Sequence, residues 1–155
     1  MPTTGQRTPT RALVGWWALL CLLAFIQAPG RTVADTKHDL TANPGGFLER
    51  SLSMWSEVMP LGQLQNQAYG YLFPQGAFFA LFDLLPDAIW ADWLTQGLWW
   101  SLLLCLAFTG FHRVAEVAGI GSRPSRILAA LLYALSPRIL TTLGAISSEA
   151  WPVAL

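Results

Sequence analysis

The sequence predicts an all-α polytopic membrane protein, and three observations carry that prediction. Residues 12–30 and 93–111 are two 19-residue runs without a charged side chain, about the length a helix needs to cross a bilayer. Hydrophobic residues make up 54% of the 155 residues and charged ones only 12%, against about a quarter charged in soluble domains. The bases gather before the first run and after the second, the asymmetry expected of cytoplasmic flanks.

Residues 1–11 hold Arg7 and Arg11 and no acid, and are read as a cytoplasmic tail. A basic lead before an apolar run is also the pattern of a signal peptide. No small-x-small site follows this run and a second span comes later, so an uncleaved first helix is expected over about 12–30. Residues 31–92 contain seven acids (Asp35, Asp39, Glu49, Glu57, Asp83, Asp87, Asp92) and three bases (Arg31, Lys37, Arg50). With 1–11 and 112–126 inside, this long segment is an extracytoplasmic loop, and Trp90 and Trp93 fall where an interfacial aromatic belt belongs.

Within the loop, Asn43-Pro44-Gly45 marks a turn and a helix start. Leu48, Leu52, Trp55 and Met59 then recur at helical spacing, which predicts an interfacial helix ended by Pro60-Leu61-Gly62. Residues 63–75 are rich in amides and aromatics. Ala77–Phe82 is apolar but too short to span, so it is expected to be interfacial or re-entrant. Asp87 is placed to cap the second span.

Gly119-Ile120-Gly121 closes that helix, and Ser122 with Pro124 opens the next. The third span is expected over about 125–138. From Arg123 to Arg138 is 15 steps, about 22 Å of helix, short of the roughly 30 Å hydrocarbon core. If the helix starts at the cytoplasmic face, Arg138 lies at membrane depth, nearer the outer side. The chain stops in an apolar stretch, Ala150 to Leu155, without a polar tail, so it reads as the amino-terminal part of a membrane domain whose activity needs further residues. Cys21 and Cys105 both lie in apolar runs and read as buried thiols, not a disulfide framework or metal site. Net charge is zero and no basic block exists, which argues against nucleic acid as a partner; the bilayer is the expected environment.

The residues able to carry chemistry are few. Asp35 and Asp39 are four apart and would share one face of a helix. A carboxylate here can act as general base on an acceptor hydroxyl, or hold a divalent cation with its neighbour; the plain alternative is a solvated loop. His38 adds a metal ligand or proton carrier, and Lys37 a phosphate contact. An arginine at membrane depth is costly and faces a cavity or a partner. The donor fork of Arg138 suits phosphate, unless the side chain snorkels to the interface. Glu149 is a candidate partner for it, or simply a residue of the next extracytoplasmic turn. Gln65, Asn66 and Tyr69, with Gln63, Gln67 and Tyr71, are suited to hydrogen-bond and stack on sugar, or else to pack a structured loop.

Several strings carry a resemblance. Asp35-Thr-Lys-His-Asp39-Leu-Thr-Ala-Asn-Pro44, Gln65-Asn-Gln-Ala-Tyr-Gly-Tyr-Leu-Phe-Pro74, Arg113-Val-Ala-Glu-Val-Ala-Gly-Ile-Gly-Ser122 and Ala134-Leu-Ser-Pro-Arg138-Ile-Leu-Thr-Thr-Leu-Gly144 resemble, in order, the amino-terminal region of the AftD-type α-(1→3)-arabinofuranosyltransferases of mycobacteria and related actinobacteria. The resemblance runs from about residue 12 to the end and covers a small first part of such an enzyme. It implies a GT-C fold in the plasma membrane, a catalytic acid in the first extracytoplasmic loop, a polyprenyl-phosphate arabinofuranose donor and an arabinan acceptor. Carried onto this chain, the acid is Asp35 or Asp39, with Asp35 preferred as nearer the span. Beside that acid, the residue-level reading keeps Arg138 and Lys37 as candidate phosphate contacts and Gln65, Asn66 and Tyr69 as candidate sugar contacts. A divalent cation, with His38 as a ligand, remains open because metal dependence differs among GT-C enzymes. The competing readings are a non-enzymatic transporter or flippase of lipid-linked sugar, and a structural membrane subunit.

Overall fold

A computed structural model describes residues 8–27, 29–33, 38–56, 61–64, 68–86, 89–144 and 148–155. The chain divides into two compact units. One comprises Met1–Pro29 with Gly97–Leu155, the other Gly30–Gln96.

The first unit is helical. Helix α1 runs Thr10–Ile26 and buries Leu13, Leu20 and Ala24. It lies against helix α5, Asp92–Val117, over the part of α5 that belongs to this unit. Two contacts fix the pair. Trp17 Nε1 donates to Thr109 Oγ1 at 2.8 Å, and the Phe25 ring lies over Gly97 and leaves no room there for a side chain. Gly97 therefore permits the close approach. Trp99, Leu103, Leu104, Ala107 and Phe108 are buried along α5. Cys21 and Cys105 are free thiols, as expected, but half-buried and not fully enclosed.

The polar end of α5 fastens the residues that precede α1. Thr8 N–H donates to Glu116 Oε1 at 2.8 Å. Thr8 Oγ1 lies 3.1 Å from Nε2 of the fully enclosed His112. The helix stops at Gly119 (φ 68°), with Ile120 N–H reaching back to Ala115 O at 3.0 Å. That six-to-one bond with a left-handed glycine is a Schellman stop, where the glycine pair predicted an end.

Helix α6, Arg123–Ala134, follows with Ser122 before it and proline in its first turn. Arg126 Nε donates to Ile120 O at 2.8 Å and holds the turn closed. The expected span 125–138 is not one straight helix. It breaks at Leu135–Ser136, and α7, Pro137–Gly144, leaves at 41°. Pro137 lacks the N–H the ladder needs and pushes Ser136 out of the helical region. A last short helix α8, Ala150–Ala154, returns to the bundle. Trp151 stacks on Trp99 at 6.1 Å between ring centroids, and Tyr133 Oη donates to Val153 O at 2.6 Å.

Among the described residues, α5 alone is long and apolar enough to cross a membrane as one helix. Its 26 residues give about 39 Å at 1.5 Å each. The bent pair α6–α7 passes the same test as a broken span or a re-entrant loop. Helix α1, with 17 residues, is shorter.

The second unit is built from short elements: α2 (His38–Ala42), α3 (Pro44–Ser51), strands β1 (Trp55–Ser56) and β2 (Gln63–Leu64), α4 (Ala77–Asp83) and the start of α5. Asn43 caps α3 by accepting Gly46 N–H at 2.9 Å, with Pro44 in the first turn, as the Asn-Pro-Gly string predicts. The interfacial helix expected to reach Met59 is corrected here. It ends at Ser51, and Trp55 and Ser56 pair antiparallel with Leu64 and Gln63. A 3₁₀ turn at Ala68–Tyr71 and a wide turn at Leu72–Gly76 lead into α4. The cap expected from Asp87 falls outside the described residues. The helix begins instead at Asp92, whose carboxylate sits in the first turn, where the helix dipole favours an anion. The core holds Leu40, Tyr71, Gln75 and Phe79; the Phe47 and Tyr71 rings meet edge to face at 6.1 Å.

Candidate functional site

The acidic segment is anchored on both sides of its central residues. On the near side, Val33 N–H donates to Gln96 Oε1 at 2.9 Å. Gln96 is 1% exposed, so the bond fixes the backbone two residues before Asp35. On the far side, the chain enters α2 at His38. Asp35 and Lys37 themselves, and the side chain of His38, lie outside the described residues.

Asp39 is described. It sits in the first turn of α2 with an exposed carboxylate, and its Oδ2 accepts from Arg50 Nη2 of α3 at 2.6 Å. Helices α2 and α3 are thereby tied together across the Asn43 cap. The ion pair gives Asp39 a structural task and occupies one of its two oxygens. Sequence reasoning counted Arg50 only as a loop base; it missed this pairing, because 11 residues separate the two and no helical spacing relates them.

Gln65 and Asn66 lie outside the described residues. Tyr69 has its backbone in the 3₁₀ turn, but its side chain is not described. A cleft within this unit is lined by Thr41, Phe82, Asp83, Trp90, Asp92 and Thr95, among others. Phe82 and Trp90 stack there at 5.3 Å, and Trp90 Nε1 donates to Thr95 Oγ1 at 2.8 Å. Among the described residues, no group of three or more His, Cys, Asp or Glu side chains is placed to hold a metal ion.

Arg138 belongs to the other unit. It occupies the first turn of α7, and its Nη2 donates to Glu149 Oε2 at 2.7 Å. The partner named from sequence is therefore the partner found. Both side chains are more than three-fifths exposed, so the guanidinium is held by a carboxylate yet open to an incoming anion. Asp39 and Arg138 each find their ionic partner inside their own unit.

Comparison with known proteins agrees with the resemblance in the sequence. The family model of the α-(1→3)-arabinofuranosyltransferase N-terminal GT-C domain matches residues 19–155. The α-(1→3)-arabinofuranosyltransferase of Mycolicibacterium smegmatis is 56% identical over 138 residues, 89% of this chain and 10% of the relative. That of Mycobacterium tuberculosis is 52% identical over the same length and shares. The cryo-EM structure of the arabinofuranosyltransferase AftD from Mycobacteria superposes with a TM-score of 0.85 at 54% identity, over 95% of this chain and 11% of that one. Its R1389S mutant in a second class gives 0.85 at 53% identity, over 96% and 12%. The chain thus spans about a tenth of the length of these relatives. It belongs to the α-(1→3)-arabinofuranosyltransferase family and lies within that family's N-terminal GT-C domain.

Proposed function

We propose that the full-length protein is a multi-pass plasma-membrane glycosyltransferase that moves arabinofuranose from a polyprenyl-phosphate donor to an arabinan acceptor. The single observation that supports this most is the match of residues 19–155 to the N-terminal domain of named arabinofuranosyltransferases. The charge distribution supports an outward orientation for residues 31–92, with the basic ends of α1 and α6 in the cytoplasm.

The reaction is a displacement at the anomeric carbon. Asp35 takes the proton from the acceptor hydroxyl, whose oxygen bonds to the anomeric carbon. The bond from that carbon to the lipid-phosphate oxygen breaks, and the phosphate leaves with the electron pair. Arg138 stabilises the charge gathering on the phosphate, trading some of its contact with Glu149 for the leaving group. Asp35 is preferred over Asp39 because the Asp39 carboxylate already binds Arg50. Lys37 adds a second cation toward the phosphate, and Gln65, Asn66 and Tyr69 contact acceptor sugars. A divalent cation held with His38 would enter if chelation abolished turnover and added Mg²⁺ or Mn²⁺ restored it.

The test is transfer of labelled arabinofuranose from a polyprenyl-phosphate donor to an arabinan oligosaccharide by the full-length protein in membranes. Labelled product supports the proposal. Movement of the lipid-linked sugar across the bilayer without product overturns it in favour of a transporter.

A further inference from the structure

A groove of about 450 Å³ runs along the first unit between α1 and α6, within the roughly 300–1,000 Å³ of small-molecule sites. Its walls are Trp16 of α1 and Pro124, Ile127, Leu128 and Leu131 of α6, and its one charged lining residue is Arg123. From Arg123 to Leu131 the helix rises about 12 Å. The groove therefore has a cationic mouth and an apolar body, the profile of a site for an anionic amphiphile.

Arg123 is exposed and makes no ion pair among the described residues, unlike Arg113, which binds Glu116, and Arg126, which is buried on Ile120 O. Arg11, exposed in the first turn of α1, likewise makes no ion pair among the described residues and adds to the basic character of the α1 end. The apolar surface continues beyond the groove. Leu128 and Leu132 of α6 remain widely exposed, as do Val14 and Leu19 of α1.

We infer that this groove binds an anionic phospholipid of the cytoplasmic leaflet, its phosphate on Arg123 and an acyl chain against Trp16, Ile127, Leu128 and Leu131. Basic pockets between membrane helices on the cytoplasmic side are suited to acidic headgroups, whose leaflet carries the negative surface potential. A zwitterionic lipid would fill the same apolar body but leave the arginine without net compensation. The inference rests on the membrane orientation proposed above and not on the transfer reaction. Bound lipid and arabinose turnover are separate readouts, so either can fail alone.

The experiment is native mass spectrometry of the detergent-purified full-length protein titrated with phosphatidylglycerol or phosphatidylcholine. Arg123→Ala, Arg123→Lys and Leu128→Trp run beside wild type, and all four are matched by thermal unfolding. The wild type is expected to retain phosphatidylglycerol preferentially. Arg123→Ala should lower that preference by about fivefold, the worth of one basic residue near an anionic surface. Arg123→Lys should keep it, and Leu128→Trp should cut retention of both lipids by filling the groove. Equal retention of the two lipids by wild type, or an unchanged preference in Arg123→Ala, overturns the inference. So does protection of a Leu128→Cys thiol from maleimide that persists after the bound lipid has been stripped by detergent, because then the remainder of the protein, and not a lipid, covers the groove.

Discussion

Gln96 Oε1 accepts the backbone N–H of Val33 at 2.9 Å, and this bond links the start of α5 to the chain just before Asp35. The glutamine is fully enclosed, and its Nε2 has no hydrogen-bond partner among the described residues. A buried amide half satisfied is expensive to keep, which argues for a task beyond packing. If Asp35 is the base, Gln96 is a positioning residue for it. Gln96→Leu should lower kcat for arabinose transfer by about tenfold to a hundredfold, the scale of a small misplacement, with donor KM little changed. Gln96→Glu keeps the acceptor for Val33 N–H and should recover most of the rate. Equal loss in both variants would show that the amide matters only for folding.

The approach of α1 to α5 at Gly97 is steric, so its variants should grade by size. A Cβ at Gly97 would collide with the edge of the Phe25 ring. Alanine gains roughly 1 kcal/mol of helix propensity over glycine, which offsets a small swing of the ring. Gly97→Leu has no such compensation and should destabilise by about 1–3 kcal/mol, as overpacking does. The check is the thermal unfolding midpoint in detergent, where Phe25→Ala should partly rescue Gly97→Leu.

The Asp39–Arg50 pair is exposed on both sides, and exposed pairs contribute about 0–1 kcal/mol. Asp39→Asn and Arg50→Gln should each leave the unfolding midpoint nearly unchanged. The double variant should match either single one, because the second change removes no further attraction. A large loss in the Asp39 variant alone would show that the carboxylate does more than tie α2 to α3.

Arg138 and Glu149 should separate in donor kinetics. Arg138→Ala removes the contact proposed for the donor phosphate and should raise donor KM and lower kcat, whereas Glu149→Gln frees the guanidinium from its ion pair and should not raise donor KM. Michaelis constants for the lipid-linked donor decide it. An unaltered donor KM in Arg138→Ala would remove Arg138 from the site.

Local signals in the sequence were read well where one residue type has one physical use. The Asn43–Pro44 start and the Gly119 stop are of that kind, and so is the long apolar run of α5, whereas the span drawn through Pro137 overlooked the break that this proline makes. The helix drawn through Trp55 to Met59 failed because apolar spacing of three and four does not see a chain that turns back. Leu61 and Gly62 both take left-handed backbone, φ 71° and 69°, and the strand pairing of Trp55 with Leu64 replaces the helix there. The roles of Gln96 and Arg50 were illegible for a related reason. A glutamine inside an apolar run and an arginine in an acidic loop show nothing in sequence of the partners that folding brings to them.

The measurement that bears most directly on the central claim is arabinose transfer by the full-length protein in membranes, with Asp35→Asn and Asp39→Asn beside wild type at matched expression. Loss of turnover in Asp35→Asn with activity retained in Asp39→Asn is the predicted result, since one carboxylate is the base and the other holds Arg50. Wild-type rates in Asp35→Asn would contradict it.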